Sequence, residues 1–338
     1  MRSKKSSNLA ASSRMTTRCH LRSRLAAFAV STIAASAVCA SDGPAPREAF
    51  ITNQSGQSLS IVDLATFKVT DEIKIGGKPA GIALSSDGKR AFVTAPEGNE
   101  LVIVDAIKRQ VEKRVTMSGG PLGVATHLSS GMVYVADWYA HKISVVDPDA
   151  GAVTGEVAVG ESPSGVAVTP DGALLLSADR DSNEVSLIDA KKNERIARVP
   201  VGERPFGITI DADGRRAYTA NVGSNDVSVI DIANRTVIAT VPVGRRPYAV
   251  ALSGGRAFVT NQYANTLSVI DTGTLKVLKT LSVGDYPEGI AADPARPYVY
   301  VACWFDNIVM RVDTAKLAVA GEVEVGDGPR AFGLFLRY

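Results

Sequence analysis

The sequence predicts an all-β fold, a seven-bladed β-propeller of four-stranded antiparallel blades, closed by pairing the N- and C-terminal segments in one blade. Three observations carry this. A unit of about 42 residues recurs, and the Asp closing its S-V-I-D-like segment stands at Asp63, Asp105, Asp147, Asp189, Asp231, Asp271 and Asp313. A Pro holds the same register at Pro79, Pro121, Pro163, Pro205, Pro247, Pro287 and Pro329, and self-similarity at this period marks a repeat architecture. Within each unit lie four short apolar or alternating runs divided by turn residues, the content of one propeller blade.

The unit from Glu203 to Gly244 shows these runs most cleanly, at Gly207–Ile210, Ala217–Ala220, Val227–Ile230 and Val237–Val241. Val, Ile, Thr and Tyr dominate them, which is strand composition at strand length. Asp213-Gly214 divides the first two runs and supplies the positive φ of a tight hairpin. Six units are complete between Gly77 and Gly326. Ahead of them Arg47–Gly76 holds three runs, Ala49–Thr52, Leu59–Val62 and Lys68–Ile75, and behind them Asp327–Tyr338 holds one, Ala331–Leu336. Pairing Ala331–Leu336 with Ala49–Thr52 makes the seventh blade and removes the open edges of an unclosed stack.

The first 40 residues read differently. They carry seven Lys or Arg, no Asp or Glu, and an apolar run Leu25–Val38 before Cys39-Ala40, the pattern of a secretory signal peptide. Cleavage after Ala40 is expected, with Met15 as an alternative start, lipidation at Cys39 as the rival processing, and the periplasm as destination. Residues 41–46 form a short linker, and 47–338 a single propeller domain. No further stretch has the length and apolarity of a membrane span, and a monomer is expected. Without the leader 30 basic residues face 35 acidic ones, net −5 against +2 for the whole chain. Attraction to an anionic partner would therefore depend on a local patch. Cys303 is the one cysteine beyond the leader, so an intramolecular disulfide is excluded.

Meander geometry sends the second-to-third-strand loops and the V-G-x-x-P-x-G inter-blade links to one face, where residues flanking each Pro crowd the channel mouth. Before the Pro stand Lys78, Gly120, Ser162, Arg204, Arg246, Tyr286 and Gly328; after it stand Ala80, Leu122, Ser164, Phe206, Tyr248, Glu288 and Arg330. Scaffold residues should recur and functional ones deviate, and the arginines and aromatics are the deviations. The loops add Asn221, Asn261, Tyr263, Trp304 and Phe305 on one side of the ring, and Trp138, Tyr139 and Arg180 across it. The candidate ligand-binding set is Lys78, Arg204, Phe206, Arg246, Tyr248, Tyr263, Trp304 and Arg330. Arg forks anionic oxygens and stacks on aromatic rings. The partner expected is a protein or a small anionic ligand. A solvated rim with aromatics packed between blades is the competing reading.

Catalytic signals are weak, and no catalytic residue, metal or cofactor is expected. His127 and His141 are the two histidines after the leader and have no metal-ligand spacing. Asp137, Asp179 and Asp181 are acidic loop residues, and two Asp on adjacent blades could approach the mouth. Cys303 stands where most blades have Asn or Asp, and an inert thiol is favoured over a reactive one.

At the second strand the units read A-F-I-T-N (49–53), A-F-V-T-A (91–95), V-Y-V-A-D (133–137), A-Y-T-A-N (217–221), A-F-V-T-N (257–261) and V-Y-V-A-C (299–303). With V-G-x-x-P-x-G and S-V-I-D, the chain resembles the YVTN family of β-propeller repeats and, with its leader, YncE-like periplasmic proteins. The resemblance covers nearly all of 47–338. It implies the propeller fold and leaves function open, since the motifs are the scaffold itself. It brings three expectations: binding of single-stranded DNA, partnership with a periplasmic redox protein, or a lactonase-like hydrolase or lyase activity as the enzymatic alternative.

Overall fold

The computed structural model describes residues 47–338, so the leader lies outside the described residues. Seven sheets surround a central channel. Blades 1 to 6 open at Gly81, Pro121, Pro163, Pro205, Pro247 and Pro287, and blade 7 takes three strands from Glu48–Asn53, Ser58–Asp63 and Lys68–Lys74. Each complete blade is a meander running from the channel outward, as in Pro205–Ile210, Arg216–Asn221, Asp226–Asp231 and Thr236–Pro242 of blade 4. A 3-10 turn at Pro96–Gly98 is the one helical element among the described residues.

The sequence patterns follow from where each strand sits. Second strands lie between neighbouring blades and are buried on both faces, as in Glu48–Asn53, where all six residues are buried. They are therefore buried without alternation, and their buried polar members, such as Thr52 and Asn53, are hydrogen-bonded. Outer strands face solvent and bury little, as in Thr236–Pro242. A bulge between the third and fourth strands recurs in every blade, for example at Val229/Ile230, and adds local twist.

The repeated motif residues tie strands together between blades and within them. Thr52, Thr94 and Thr260 donate their hydroxyls to the carbonyls of Ala80, Leu122 and Glu288 on the next inner strand, at 2.9, 2.6 and 2.8 Å. Asn53, Asn221 and Asn261 donate Nδ2 to the third-strand hydroxyls of Ser60, Ser228 and Ser268 at 2.8, 2.9 and 2.9 Å. Each recurrent Asp closes its loop by accepting from backbone N–H groups two or three residues on, as Asp189 does from Lys191 and Lys192. The Gly two residues after the Pro, present in five of the seven links, stands where inner strands meet: a Cβ on Gly123 would overlap the Ser164 carbonyl, and one on Gly165 the Phe206 carbonyl.

The ends close one blade, with a departure from the expected register. Leu336 and Arg337 pair antiparallel with Ala49 and Glu48, and Pro329 bridges to Asn53. Between them Phe332–Gly333 leaves blade 7 and pairs in parallel with Gly81–Ile82 of blade 1. The eight residues from Pro329 to Leu336 thus stand opposite the five from Asn53 to Ala49, where blades 2 to 6 carry a single extra residue, as between Pro205 and Ile208.

Candidate functional site

The inter-blade links set the geometry of the mouth. The residue before each Pro has left-handed backbone: Lys78, Gly120, Ser162, Arg204, Arg246, Tyr286 and Gly328 have φ between 51° and 64°. That conformation costs a non-Gly residue about 1 kcal/mol or more, and the preceding blade braces it. Asn99, Asn183, Asn225, Asn265 and Asn307 each accept, through Oδ1, the N–H of the pre-Pro residue that follows. In blade 2 His141 does this work, its Nδ1 accepting from Ser162 N–H at 3.1 Å. His127 bridges to Gly172. Both histidines thus act within the scaffold.

A cavity of about 640 Å3 opens at this face. Six of the eight sequence-selected residues line it: Lys78, Phe206, Arg246, Tyr248, Trp304 and Arg330. Tyr263 stands behind Arg246, whose guanidinium lies 4.6 Å from its ring. Arg204 is exposed and does not line the cavity. Trp138, Tyr139 and Arg180 close the opposite wall, with Arg180 5.5 Å from the Trp138 ring. Tyr286, Trp304 and Phe305 form a contiguous aromatic wall, centroids 4.7 to 6.0 Å apart. Tyr139 and Phe305 are 76% and 60% exposed, so rings face the opening.

Phe206 and Tyr248 are buried and form a floor with Phe332, their centroids 4.5 to 5.4 Å apart. Arg330, expected to meet an external anion, is engaged inside the protein. Its Nε donates to the Tyr248 hydroxyl at 2.8 Å and lies 3.1 Å from Glu288 Oε2. Gln262 donates to the other Glu288 oxygen at 2.5 Å. Burial pushes the Glu288 carboxyl above its usual range despite Arg330, and burial also raises the Tyr248 hydroxyl. Burial disfavours the charge on Arg330, but Tyr248 and Glu288 outweigh it and hold the guanidinium ionised. Such a pair fixes positions more than it adds stability.

The other cations differ in their partners. Lys78 pairs with Glu97 at 2.6 Å, and Arg180 with Asp181. Arg246 has no carboxylate partner among the described residues: one terminal nitrogen donates to the Tyr263 hydroxyl at 3.2 Å, and its buried Nε has no hydrogen-bond partner. Glu288 and Gln262 were missed in choosing the site. Glu288 precedes Arg330 by one repeat at the same register, so opposite charges at successive post-Pro positions were the available signal.

Asp137 and Asp179 do not reach the mouth. Both are fully buried in the position that Asn221 occupies in blade 4. Ser118 donates to Asp137 at 2.6 Å. Ser177, Ser186 and Gly160 N–H all donate to Asp179, and burial still raises its carboxyl to about 6. Cys303 occupies the same position in blade 6, fully buried, its thiol pushed to about 12 by burial and then by Asp306.

With this geometry in place the chain can be set beside known proteins. The family model of YNCE-like beta-propellers matches residues 22–130. The resemblance is therefore to YncE-like propellers. No curated protein matches the chain significantly. Among solved structures, hydrazine synthase of Kuenenia stuttgartiensis is similar at 22% identity and a TM-score of 0.68, over 75% of this chain and 88% of that one. A functionally unknown protein from Desulfotomaculum acetoxidans is similar at 18% identity and 0.73, over 84% and 98%. The dihydro-heme d1 dehydrogenase NirN is similar at 14% identity and 0.65, over 84% and 74%. At these identities the likeness is one of fold, and YncE-like propellers share it with proteins of different activities.

Proposed function

We propose that this YncE-like propeller is an exported, non-catalytic binding protein whose mouth cavity holds a small ligand combining an anionic group with a planar ring. Arg246 carries the reading. It is the mouth-lining guanidinium without a carboxylate partner among the described residues, stacked on Tyr263, with a buried Nε that no protein group satisfies. An anion on Arg246 would place an attached ring against the wall of Tyr286, Trp304 and Phe305. The net charge of −5 left after the leader counts against long-range capture of a polyanion. A nucleotide, the end of a single strand or an aromatic carboxylate offers the required chemistry. Export to the periplasm rests on the leader, and N-terminal sequencing of the secreted chain checks it.

The test is fluorescence titration of the purified chain with thymidine monophosphate, 2-naphthoate and a short oligothymidylate at low and high salt. Arg246→Gln should weaken anion binding about tenfold, as expected for loss of a charge-assisted hydrogen bond. Tyr263→Leu should weaken it less. Lys191→Ala with Lys192→Ala, on the opposite face, should leave it unchanged. Equal weakening by the Arg246 and lysine variants, or no binding of any probe, overturns the proposal.

A further inference from the structure

The channel holds a second cavity beneath the mouth. Phe206 and Tyr248 line the upper space and Phe332 the lower, so the three stacked rings partition the channel. The lower cavity is about 410 Å3 and reaches the face that carries the first-to-second-strand hairpins. Among the described residues no Asp, Glu, Lys, Arg or His lines it.

Its wall is written into the repeat. The fifth residue after each Pro is Leu84, Thr126, Val168, Ile210, Leu252, Ala292 or Leu334, and all seven line the cavity. The first six are half-buried and Leu334 is 72% exposed. Six of these seven are aliphatic; Leu84, Val168, Ile210, Leu252 and Ala292 pack on one side against the inter-blade core and, with Leu334, present apolar surface to the cavity. Leu334 owes its place to the extra residues that carry Phe332–Gly333 across to blade 1. Leu128, 58% exposed, is also on the lining. These two exposed leucines extend the apolar lining of the cavity to the outer surface. Thr126 is the polar member of the ring, and its buried Oγ1 has no hydrogen-bond partner among the described residues. The cavity's other threonine, Thr209, spends its hydroxyl on the Val250 carbonyl at 2.6 Å.

We propose that this lower cavity is a second binding site, taking an uncharged aliphatic molecule of about a dozen carbons with one hydrogen-bonding oxygen, which Thr126 engages. The size follows from a cavity of about 150 Å3 holding one benzene. Neutrality follows from the lack of any charged side chain to offset desolvation of an ion.

The test uses N-phenyl-1-naphthylamine, an uncharged polarity-sensitive fluorophore, displaced by 1-dodecanol or by dodecanoate at neutral pH. Dodecanol should displace the fluorophore at least tenfold better than dodecanoate. Ala292→Phe and Val168→Phe, filling the ring from two different blades, should each weaken dodecanol binding tenfold or more, with folding checked by circular dichroism. Thr126→Val should weaken dodecanol several-fold while leaving the fluorophore's own affinity unchanged, and Arg246→Gln should change neither. Failure of the fluorophore to bind, equal displacement by dodecanoate, or unchanged dodecanol binding in a folded ring-filling variant overturns the proposal, whatever the outcome at the mouth.

Discussion

Replacing Asp179 by Asn should stabilise the protein at neutral pH and leave it unchanged in acid. Burial raises this carboxyl from an ordinary value near 3.8 to about 6. Between those values the folded state binds more protons than the unfolded one, so stability falls as pH rises through the interval and is flat above it. At 1.36 kcal/mol per pH unit the burden reaches about 3 kcal/mol at pH 7. Asn is the residue that does this work in blade 4, where Asn221 donates to Ser228 and Gly202 N–H turns to that same serine. In blade 3 Gly160 N–H is held instead by Asp179 Oδ2 at 2.9 Å. Asp179→Asn lets Gly160 and Ser186 adopt the blade 4 arrangement without a buried charge. Urea denaturation of both proteins at pH 4.0, 5.5 and 7.5 should give a stability difference near zero at the lowest pH that grows to about 3 kcal/mol at the highest. A difference independent of pH, or a variant less stable at pH 7.5 than at pH 4.0 relative to the parent, refutes the reasoning.

Thr94→Val should cost about 1–2 kcal/mol by urea denaturation, because it strands the Leu122 carbonyl and the Gly81 N–H, now bonded at 2.6 and 2.8 Å. Cys303 should resist a thiol reagent in the native protein at pH 8 and react fully in denaturant, since it is fully buried and its pKa lies near 12; rapid native labelling would contradict this. Ending the chain at Gly326 should abolish cooperative unfolding, because it removes the Leu336–Arg337 pairing, the Arg330–Glu288 pair and Phe332 together; a retained single transition would show that closure is dispensable.

The propeller was legible because every blade solves the same packing problem with the same residues. The recurrent Thr, Asn, Asp, Gly and Pro are the joints, and their spacing fixes blade number and closure. The path of Phe332–Gly333 was not legible. Ala331–Leu336 reads as one apolar strand, and composition does not reveal that its middle pairs with Gly81–Ile82. The arginine and aromatic wall was legible in position, with six of the eight selected residues lining one cavity. The pairing state of each cation was not. Arg330 and Arg246 look equivalent in sequence, and the difference lies in Glu288, which reaches Arg330 and leaves Arg246 unpaired by any carboxylate among the described residues.

Departure from a repeat is therefore an ambiguous sign of function. His141, Asp179 and Cys303 all depart from the consensus, and all three remain in the joint. His141 accepts the same pre-Pro N–H that Asn accepts elsewhere, and Asp179 holds the same third-strand serine. Cys303 fills the same buried position while lacking the amide. What separates them from Arg246 and Tyr139 is direction, since those two leave the joint and line an open cavity. The converse also holds. The fifth residue after each Pro is aliphatic in six of the seven units and would be set aside as scaffold, since five of the six pack against the inter-blade core, yet all seven also line the channel cavity. In a closed ring of repeats, a position that recurs while facing the axis builds a ring of like groups. A ligand meets that ring as a site, so recurrence there is as informative as deviation at the mouth.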